Sequence, residues 1–278
     1  MTQMFRVSLD LLREAARRRW FLALFLAITA VLVTLGLSLQ IEVIDGVIAG
    51  SKLFGAVFSN DMVIADKVMG AVSMAVAYAS FYFGAFFLAV ACSDFAPELL
   101  APGRIEHLLS LPVSRWQLLF GTYFGVISLA AVAVSYGSLG VIVLLGVKTG
   151  VWSLSLLVGA SVGWCGFCAL YAAMLTSAFF VRSAALSAAT GVGTLILGVM
   201  SSYRESIADV LNSGLGRQAF RVAMMPFPRL ALLANASAQY AAGTPMNVEM
   251  MVRLIVGAFI FAAALLSVAA WRFERSDY

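Results

Sequence analysis

The stretch Glu98-Leu-Leu-Ala-Pro-Gly-Arg-Ile-Glu-His-Leu-Leu-Ser-Leu-Pro-Val-Ser-Arg115 lies between two long apolar runs of the chain. Its middle has helix-forming residues that include charged side chains, and Pro97, Pro102 and Pro112 bracket it. Because proline removes a backbone donor and breaks helices, these prolines separate a short helix from the apolar runs on either side. Such a polar insert between two apolar helices indicates a surface that contacts a partner.

The composition indicates an integral membrane protein. Of the 278 residues, 62% are hydrophobic and 12% are charged, whereas soluble domains average about 45–50% apolar and about 25% charged residues. The apolar runs reach the roughly 20 residues that a helix needs to cross a bilayer. They show no alternation of apolar and polar residues, so helices are favoured over a barrel.

We predict an all-α protein with six transmembrane helices in a single domain, 1–278. All six prolines lie outside the predicted spans, which supports uninterrupted helices. Six spans place both termini on one side, where ten Lys and Arg occur over 54 residues against seven over 78 on the other side. The positive-inside rule therefore predicts cytoplasmic termini and a cytoplasmic (inner) membrane location. The predicted spans are 20–40, 68–92, 118–146, 151–180, 184–201 and 250–271.

The N-terminal segment, 1–19, has the pattern of an amphipathic helix. Phe5, Leu9, Leu12 and Ala16 share one helical face, and the opposite face carries charged residues. A basic amphipathic helix that leads into a span is expected to lie in the headgroup region and bind membrane lipids. The alternative is a cytoplasmic helix that packs against another part of the protein.

Residues 202–248 form the longest predicted extracytoplasmic segment, and this segment is too apolar for an open loop. We predict helices at 204–212 and 229–242, re-entrant or lying at the outer leaflet, with Pro226-Phe-Pro228 between them. Four arginines of the segment face lipid headgroups, an extracytoplasmic partner protein or water, and the pattern leaves these alternatives open. They are Arg204, Arg217, Arg221 and Arg229.

Several kinds of chemistry are excluded by missing residues. The chain has no G-x-x-x-x-G-K-[ST] loop to hold ATP, and His107 is its only histidine, so no multi-histidine metal site can form within one chain. No acid or base lies in the central part of a predicted span, which argues against proton-driven transport. The net charge of +4 includes no basic patch with interleaved aromatic residues, so no nucleic-acid partner is expected.

Three further patterns have a functional and a packing interpretation. Cys165 and Cys168 have metal-like spacing, but no histidine or acid lies nearby in the sequence, so a helix contact is favoured. Gly121-Thr-Tyr-Phe-Gly125 and Gly159-Ala-Ser-Val-Gly163 permit close helix approach, at a dimer seam or, as we favour, within one subunit. Five methionines suit either Cu(I) or irregular packing, and packing is favoured. They are Met224, Met225, Met246, Met250 and Met251.

The chain resembles permease subunits of the type-2 ABC exporter family over nearly its whole length. Members of that family show an acid, Gly-Thr-Leu-Glu, two leucines, Ser-x-Pro-x-Ser-Arg and a Gly-Lys pair. Arg104 departs from the family threonine and Thr122 from the family lysine, and the C-terminal Trp271-Arg-Phe-Glu-Arg-Ser-Asp277 resembles the family ending. The matching positions are Glu98, Gly103-Arg-Ile-Glu106, Leu108-Leu109, Ser110-Leu-Pro112-Val-Ser-Arg115 and Gly121-Thr122.

The resemblance implies that segment 93–117 carries a cytoplasmic coupling helix, between the second and third spans, that contacts a separate ATP-binding subunit. A permease without a phosphate loop must take its energy from such a partner, which would bind the ATP and Mg. This chain would then need no cofactor of its own and would not be an enzyme. The expected polar contacts are Glu98, Arg104, Glu106 and His107, and the expected apolar contacts are Ile105, Leu108 and Leu109.

The function implied is ATP-driven export by a pair of permease copies and two ATPase subunits. An uncharged path suits an amphiphilic or hydrophobic substrate, although haem export and copper-enzyme maturation systems have similar architecture. The alternative from another class is a membrane scaffold that docks a cytoplasmic partner without transport. A membrane-embedded hydrolase is disfavoured because the predicted spans contain no nucleophile with a neighbouring base.

Overall fold

The chain is described by a computed structural model over residues 19–44, 47–53, 56–59, 63–110, 113–150, 152–210, 214–244 and 247–275. The predicted interfacial helix, 1–19, lies outside the described residues except for Arg19. Eleven helices are formed by the described residues. They are α1 Arg19–Ser38, α2 Ala65–Ala91, α3 Phe95–Leu99, α4 Arg104–Ser110, α5 Arg115–Thr149, α6 Ser155–Phe180, α7 Ala184–Ser202, α8 Arg204–Val210, α9 Leu215–Met224, α10 Leu230–Ala241 and α11 Val248–Glu274.

Five helical segments in the described part of the chain are long and apolar enough to cross a membrane: Gly70–Leu99, Arg115–Thr149, Ser155–Phe180, Ala184–Ser202 and Val248–Glu274. This finding confirms the prediction of a helical, membrane-embedded protein. Helix α1 coincides with the predicted first span, but its apolar part, Leu22–Leu37, is shorter than the other five. The sixth crossing therefore stays a prediction.

A small antiparallel sheet connects α1 to α2 and was not predicted from the sequence. Its second strand pairs with each of the other three. The first two strands align Leu39 with Leu53, and the register shifts between Glu42 and Val43. The sheet adds to the helical architecture without replacing any predicted helix. The strands are β1 Leu39–Ile44, β2 Val47–Leu53, β3 Ala56–Ser59 and β4 Val63–Ile64.

Helix α6 lies at the centre of the helical packing. Inside the protein, 61% of its apolar window is buried, against 28–44% for the other candidate spans. It packs against α2, α5, α7, α10 and α11. Alanines such as Ala169, Ala172 and Ala178 are fully buried on it and leave room for this many neighbours.

Hydrogen bonds join α6 to its neighbours α5, α7 and α11. The Tyr123 hydroxyl on α5 donates to the Cys168 carbonyl at 3.0 Å, and the Thr176 hydroxyl donates to the Leu265 carbonyl of α11 at 3.0 Å. Ser187 on α7 donates to the Met174 carbonyl at 3.3 Å. Because lipid offers no hydrogen-bond partners, Tyr123 and Ser187 depend on helix packing for these bonds, whereas Thr176 also bonds to the Ala172 carbonyl of its own helix at 2.7 Å.

Close approach of α10 to α6 depends on glycine. A Cβ at Gly159 would lie 2.6 Å from the carbonyl oxygen of Ser237, and the Ser237 hydroxyl donates to the Gly159 carbonyl at 2.7 Å. Gly163 faces Phe81 of α2, with 3.2 Å from an added Cβ to the ring. The pattern Gly159-Ala-Ser-Val-Gly163 therefore serves packing within the chain, as the sequence analysis favoured.

Helix α10 begins where serines at the end of α7 supply hydrogen-bond partners. The Ser202 hydroxyl accepts from the Ala231 N–H at 2.9 Å and from the Leu232 N–H at 3.4 Å. The neighbouring Ser201 hydroxyl contacts the carbonyls of Met224 and Phe227, each at 3.0 Å. First-turn N–H groups of a helix have no partner within that helix, so Ser202 takes the place of a local cap.

Two of the three helices between α7 and α11 match the predictions. Helix α8 corresponds to the predicted helix 204–212, and α10 corresponds to 229–242. Helix α9 was not predicted, because Gly214 and Gly216 disfavour a helix at its start. No residue of α9 is buried, and Leu215 and Val222 are exposed on it.

Replacement of Gly159 by Ala is expected to destabilise the protein by about 1–3 kcal/mol, because the added methyl meets backbone rather than a movable side chain. Gly193→Ala is the matched control, since an added Cβ there meets nothing within 4 Å. Thermal unfolding of the purified protein in detergent measures both. Equal midpoints for the two variants would contradict the close contact between α6 and α10.

Replacement of Ser202 by Ala is expected to cost about 1–2 kcal/mol, because the first turn of α10 loses its hydrogen-bond acceptor. Hydrogen exchange of residues 230–233 should speed up in this variant. Ser161→Ala is the control, because Ser161 is exposed and bonds only to the Val158 carbonyl of its own helix. Unchanged exchange in Ser202→Ala would show that α10 does not depend on this cap.

Candidate functional site

The insert, which we define as residues 93–117, contains two short helices joined by a tight turn. The Arg104 N–H donates to the Ala101 carbonyl at 3.2 Å, which closes a four-residue turn. Pro102 and Gly103 occupy its centre, and Gly103 has a φ of +79°, a backbone conformation that favours glycine. The dipeptide Pro102-Gly103 thus separates α3 from α4 and sets the start of α4.

Apolar residues hold the insert against the helical core. Phe95, Leu99 and Leu100 are buried, and α3 packs against α6 and α7. Ile105 in the first turn of α4 is only 2% exposed and belongs to the same core cluster. The insert is therefore attached to the bundle at both of its helices.

The charged residues predicted for the site lie at the surface of the insert. Glu106 is exposed on α4. The side chains of Glu98 and Arg104 are 43% and 40% exposed, with 3.9 Å between Glu98 Oε2 and Arg104 Nη1. A surface ion pair of this length contributes at most about 1 kcal/mol to stability. These charges are thus accessible to a partner at little cost to the fold.

The structure places two of the apolar residues predicted for the site against the core. Ile105 was expected to contact a partner, but the structure places its side chain in the core, where it anchors α4. Leu108 is half-buried and packs against the same core. His107 and Leu109 flank Leu108 in the sequence of α4, which ends at Ser110.

Helix α5 begins at Arg115, within the last residues of the insert, with a complete capping box. The Gln117 N–H donates to Ser114 Oγ at 3.3 Å, and the Ser114 N–H donates to Gln117 Oε1 at 3.1 Å. These two bonds satisfy N–H groups that the first helical turn leaves without partners. The capping box therefore gives α5 a well-defined first turn.

Arg115, in that first turn, joins α5 to the C-terminal end of α11. Its Nη1 donates to the Phe273 carbonyl at 2.7 Å and to the Glu274 carbonyl at 3.0 Å. The last carbonyls of a helix have no partner within the helix and carry partial negative charge, so a guanidinium suits this position. Trp116 Nε1 adds a hydrogen bond to Glu274 Oε1.

The ring of Phe273 lies at the centre of this junction. It is 1% exposed, with its centroid 5.7 Å from Arg115 Cζ and 4.8 Å from the ring centroid of Phe179 on α6. The sequence analysis missed the contact between Arg115 and the end of α11. Both segments had drawn attention as family-like motifs, but their separation of 158 residues gave no sign that they touch.

Metal chemistry finds no support among the described residues, which contain no group of three or more His, Cys, Asp and Glu side chains. Cys165 is half-buried and Cys168 is buried, and both thiols are free. The backbone carbonyl of Cys168 accepts the Tyr123 hydroxyl at a helix contact. Met251 packs against the core, and Met246 lies outside the described residues.

The arginines between α7 and α11 are largely paired within the chain. Arg221 contacts Glu205 at 2.8 Å, and Arg217 forms an ion pair with Asp209. Arg204 lies 3.5 Å from Glu205. These contacts join α8 to α9, and Arg229 is exposed before α10. Three of the four arginines thus meet acids of the same chain.

No protein-family model matches this chain, and no curated protein is similar to it. The assignment of a function consequently depends on the sequence motifs and on the geometry described above.

Replacement of Arg115 by Gln is expected to lower stability by about 1–3 kcal/mol, because two carbonyls at the end of α11 lose a charged donor. The loss should appear as a lower thermal midpoint and as faster hydrogen exchange at residues 271–275. Arg229→Gln removes one positive charge from an exposed position and is the matched control. An unchanged exchange rate at α11 in Arg115→Gln would contradict the junction.

Proposed function

We propose that the chain is the permease subunit of an ATP-driven ABC exporter in the inner membrane. The observation that carries the proposal is the insert, in which α4 presents charged residues while Ile105 holds the helix against the membrane helices. A charged surface that is packed against the membrane helices suits a partner that moves those helices. The motif from Glu98 to Arg115 supports the assignment of that partner as an ATP-binding subunit.

The proposed mechanism begins with contact between the insert and the ATPase. Glu98, Arg104 and Glu106 supply the polar part of this contact, and His107, Leu108 and Leu109 complete it. The partner binds ATP and Mg, for which this chain has no phosphate loop. Closure of the ATPase dimer then moves α4 relative to the membrane, and Ser114 and Gln117 carry that movement into α5.

The junction at Arg115 extends the movement beyond α5. Because Arg115 bonds to the Phe273 and Glu274 carbonyls, a displacement of the start of α5 also displaces the end of α11. Phe273 contacts Phe179, so the end of α6 belongs to the same unit. One short insert can in this way act on three helices, and the rearrangement opens a path between the two sides of the membrane.

Six spans with both termini in the cytoplasm and a second copy of the chain complete the proposed assembly. The density of Lys and Arg supports this orientation. Helices α2, α5 and α11 expose large apolar side chains, among them Phe83, Phe124 and Phe259, that lipid or a second copy would cover. The α8–α9 hairpin lies on the extracytoplasmic side, where a further partner can reach it.

A membrane scaffold without transport is the second candidate, and the same exposed charges on α4 favour it. The two functions differ in one measurable property. Transport requires that a substrate changes the ATPase rate of the partner, whereas a scaffold leaves that rate unchanged.

The decisive experiment is purification of the tagged chain from native membranes in mild detergent, with mass spectrometry and an ATPase assay. We expect a stoichiometric ATPase subunit to copurify. Combined replacement of Glu106 and Leu109 by Ala should reduce its recovery at least about tenfold, equivalent to about 1.4 kcal/mol or more of binding free energy. Glu205→Ala removes an exposed acid from α8, distant in sequence from the insert, and should leave recovery unchanged.

Recovery of the chain alone in several mild detergents, without ATPase activity, would refute the exporter assignment. If Glu205→Ala reduced recovery of the ATPase as much as the Glu106 and Leu109 replacements do, the interaction would not depend on the insert.

A further inference from the structure

One ridge of α2 changes from polar to apolar along its length. Tyr78, Tyr82, Phe86 and Val90 follow at intervals of four residues, so they are neighbours on one side of the helix. The two tyrosines are half-buried, and Phe86 and Val90 are each 43% exposed. We call these four residues the α2 ridge. Its hydroxyl groups lie at one end, and its other end is purely hydrocarbon.

Two more polar side chains gather at the tyrosine end of the α2 ridge. The Tyr78 hydroxyl donates to Asn235 Oδ1 of α10 at 2.7 Å. Tyr203 directly follows Ser202, whose hydroxyl accepts from the Ala231 N–H of α10 at 2.9 Å, one turn before Asn235. The hydroxyls of Tyr82 and Tyr203 form no hydrogen bond with another described residue, although an unbonded hydroxyl is unfavourable in an apolar environment. The cluster therefore has unused hydrogen-bonding capacity.

The depth of this cluster follows from helix lengths. Helices α2 and α7 touch where a Cβ at Gly191 would lie 3.1 Å from that of Ala89. Counted from this contact at 1.5 Å per residue, Tyr78 lies about 17 Å back along α2 and Tyr203 about 18 Å forward along α7. Both residues therefore lie toward the same end of the two helices. Helix α7, with 19 residues, is about 28 Å long, close to the roughly 30 Å of a hydrocarbon core. On the proposed topology, in which α7 crosses the membrane, Tyr203 at its end lies at one boundary of that core.

The three helices around the α2 ridge contain few charged residues. Helices α7 and α10 contain no Asp, Glu, Lys or Arg, and neither does α2 beyond Lys67. The next charged residues after Tyr203 are Arg204 and Glu205, and they lie 3.5 Å from each other. These two charges already face each other, whereas a hydroxyl or amide head would find the hydroxyls of Tyr82 and Tyr203.

We propose that the α2 ridge binds a neutral amphiphile, with a hydroxyl- or amide-bearing head at the tyrosines and a hydrocarbon chain along Phe86 and Val90. The inference rests on the proposed function, because it identifies this amphiphile as the exported substrate. On the proposed topology the head lies at the outer boundary and the chain points toward the cytoplasm. This is the orientation of a lipid in the outer leaflet, so the ridge would hold the substrate as it leaves.

The test uses the full chain in phosphatidylcholine nanodiscs and a glucosyl diacylglycerol that carries a diazirine in its acyl chain. Illumination should label the peptide that contains Phe86 and Val90. Unlabelled glucosyl diacylglycerol should compete, and phosphatidic acid with the same chains should not. Tyr82→Phe and Tyr203→Phe should each weaken binding about fivefold, as expected for the loss of one hydrogen bond.

Tyr136→Phe is the matched control, because Tyr136 is also exposed but its hydroxyl lies 2.9 Å from Thr29 Oγ1 on α1. Labelling that is equal in all three variants, or that phosphatidic acid reduces as strongly, would show ordinary bilayer lipid at the ridge and overturn the proposal. The measurement needs no ATPase. Failure of any ATPase to copurify with the chain would therefore refute the export function. Labelling that is the same with and without the Tyr82 and Tyr203 hydroxyls would refute this site.

Discussion

The packing of the bundle depends on hydrogen bonds to the central helix α6 in an environment without water. Tyr123, Thr176, Ser187 and Ser237 form bonds that link α6 to α5, α11, α7 and α10, and each bond includes a backbone carbonyl. Because lipid neither donates nor accepts, a shifted helix would break these bonds without replacing them, and of the four hydroxyls Thr176 would keep a bond to the Ala172 carbonyl of its own helix. Small residues on α6 make the required distances attainable, so close packing and hydrogen bonding select the same arrangement.

The candidate site is an extension of this arrangement. Burial of Ile105 ties α4 to the core, while Glu106 remains exposed. Arg115 then links the start of α5 to the end of α11 through carbonyls that a helix end leaves unsatisfied. The same physical requirement, satisfaction of backbone polar groups, thus organises both the membrane interior and the route by which a force on the insert would spread.

The long helices were predicted well from the sequence, whereas the short sheet and the contacts between distant residues were not. The predicted spans from 68–92 onward agree with the observed helices within four residues at each end, because a run of apolar residues determines both. The sheet was missed, although Asp45-Gly46 between β-branched residues is a hairpin signal in the sequence. Ile105 was assigned to a partner because helical periodicity cannot distinguish a side chain that faces the core from one that faces another protein.

The sequence by itself determined that the chain is helical and apolar enough for a membrane, that it lacks an ATP loop, and that a polar insert interrupts it. Only the tertiary structure decided which residues of that insert are accessible, that Arg115 meets the end of α11, and that the Tyr78 hydroxyl meets Asn235. The physical reason is the distance along the chain over which each interaction acts. Hydropathy and helix period act between neighbours in the chain, whereas a carbonyl 158 residues away becomes a partner only after the helices have packed.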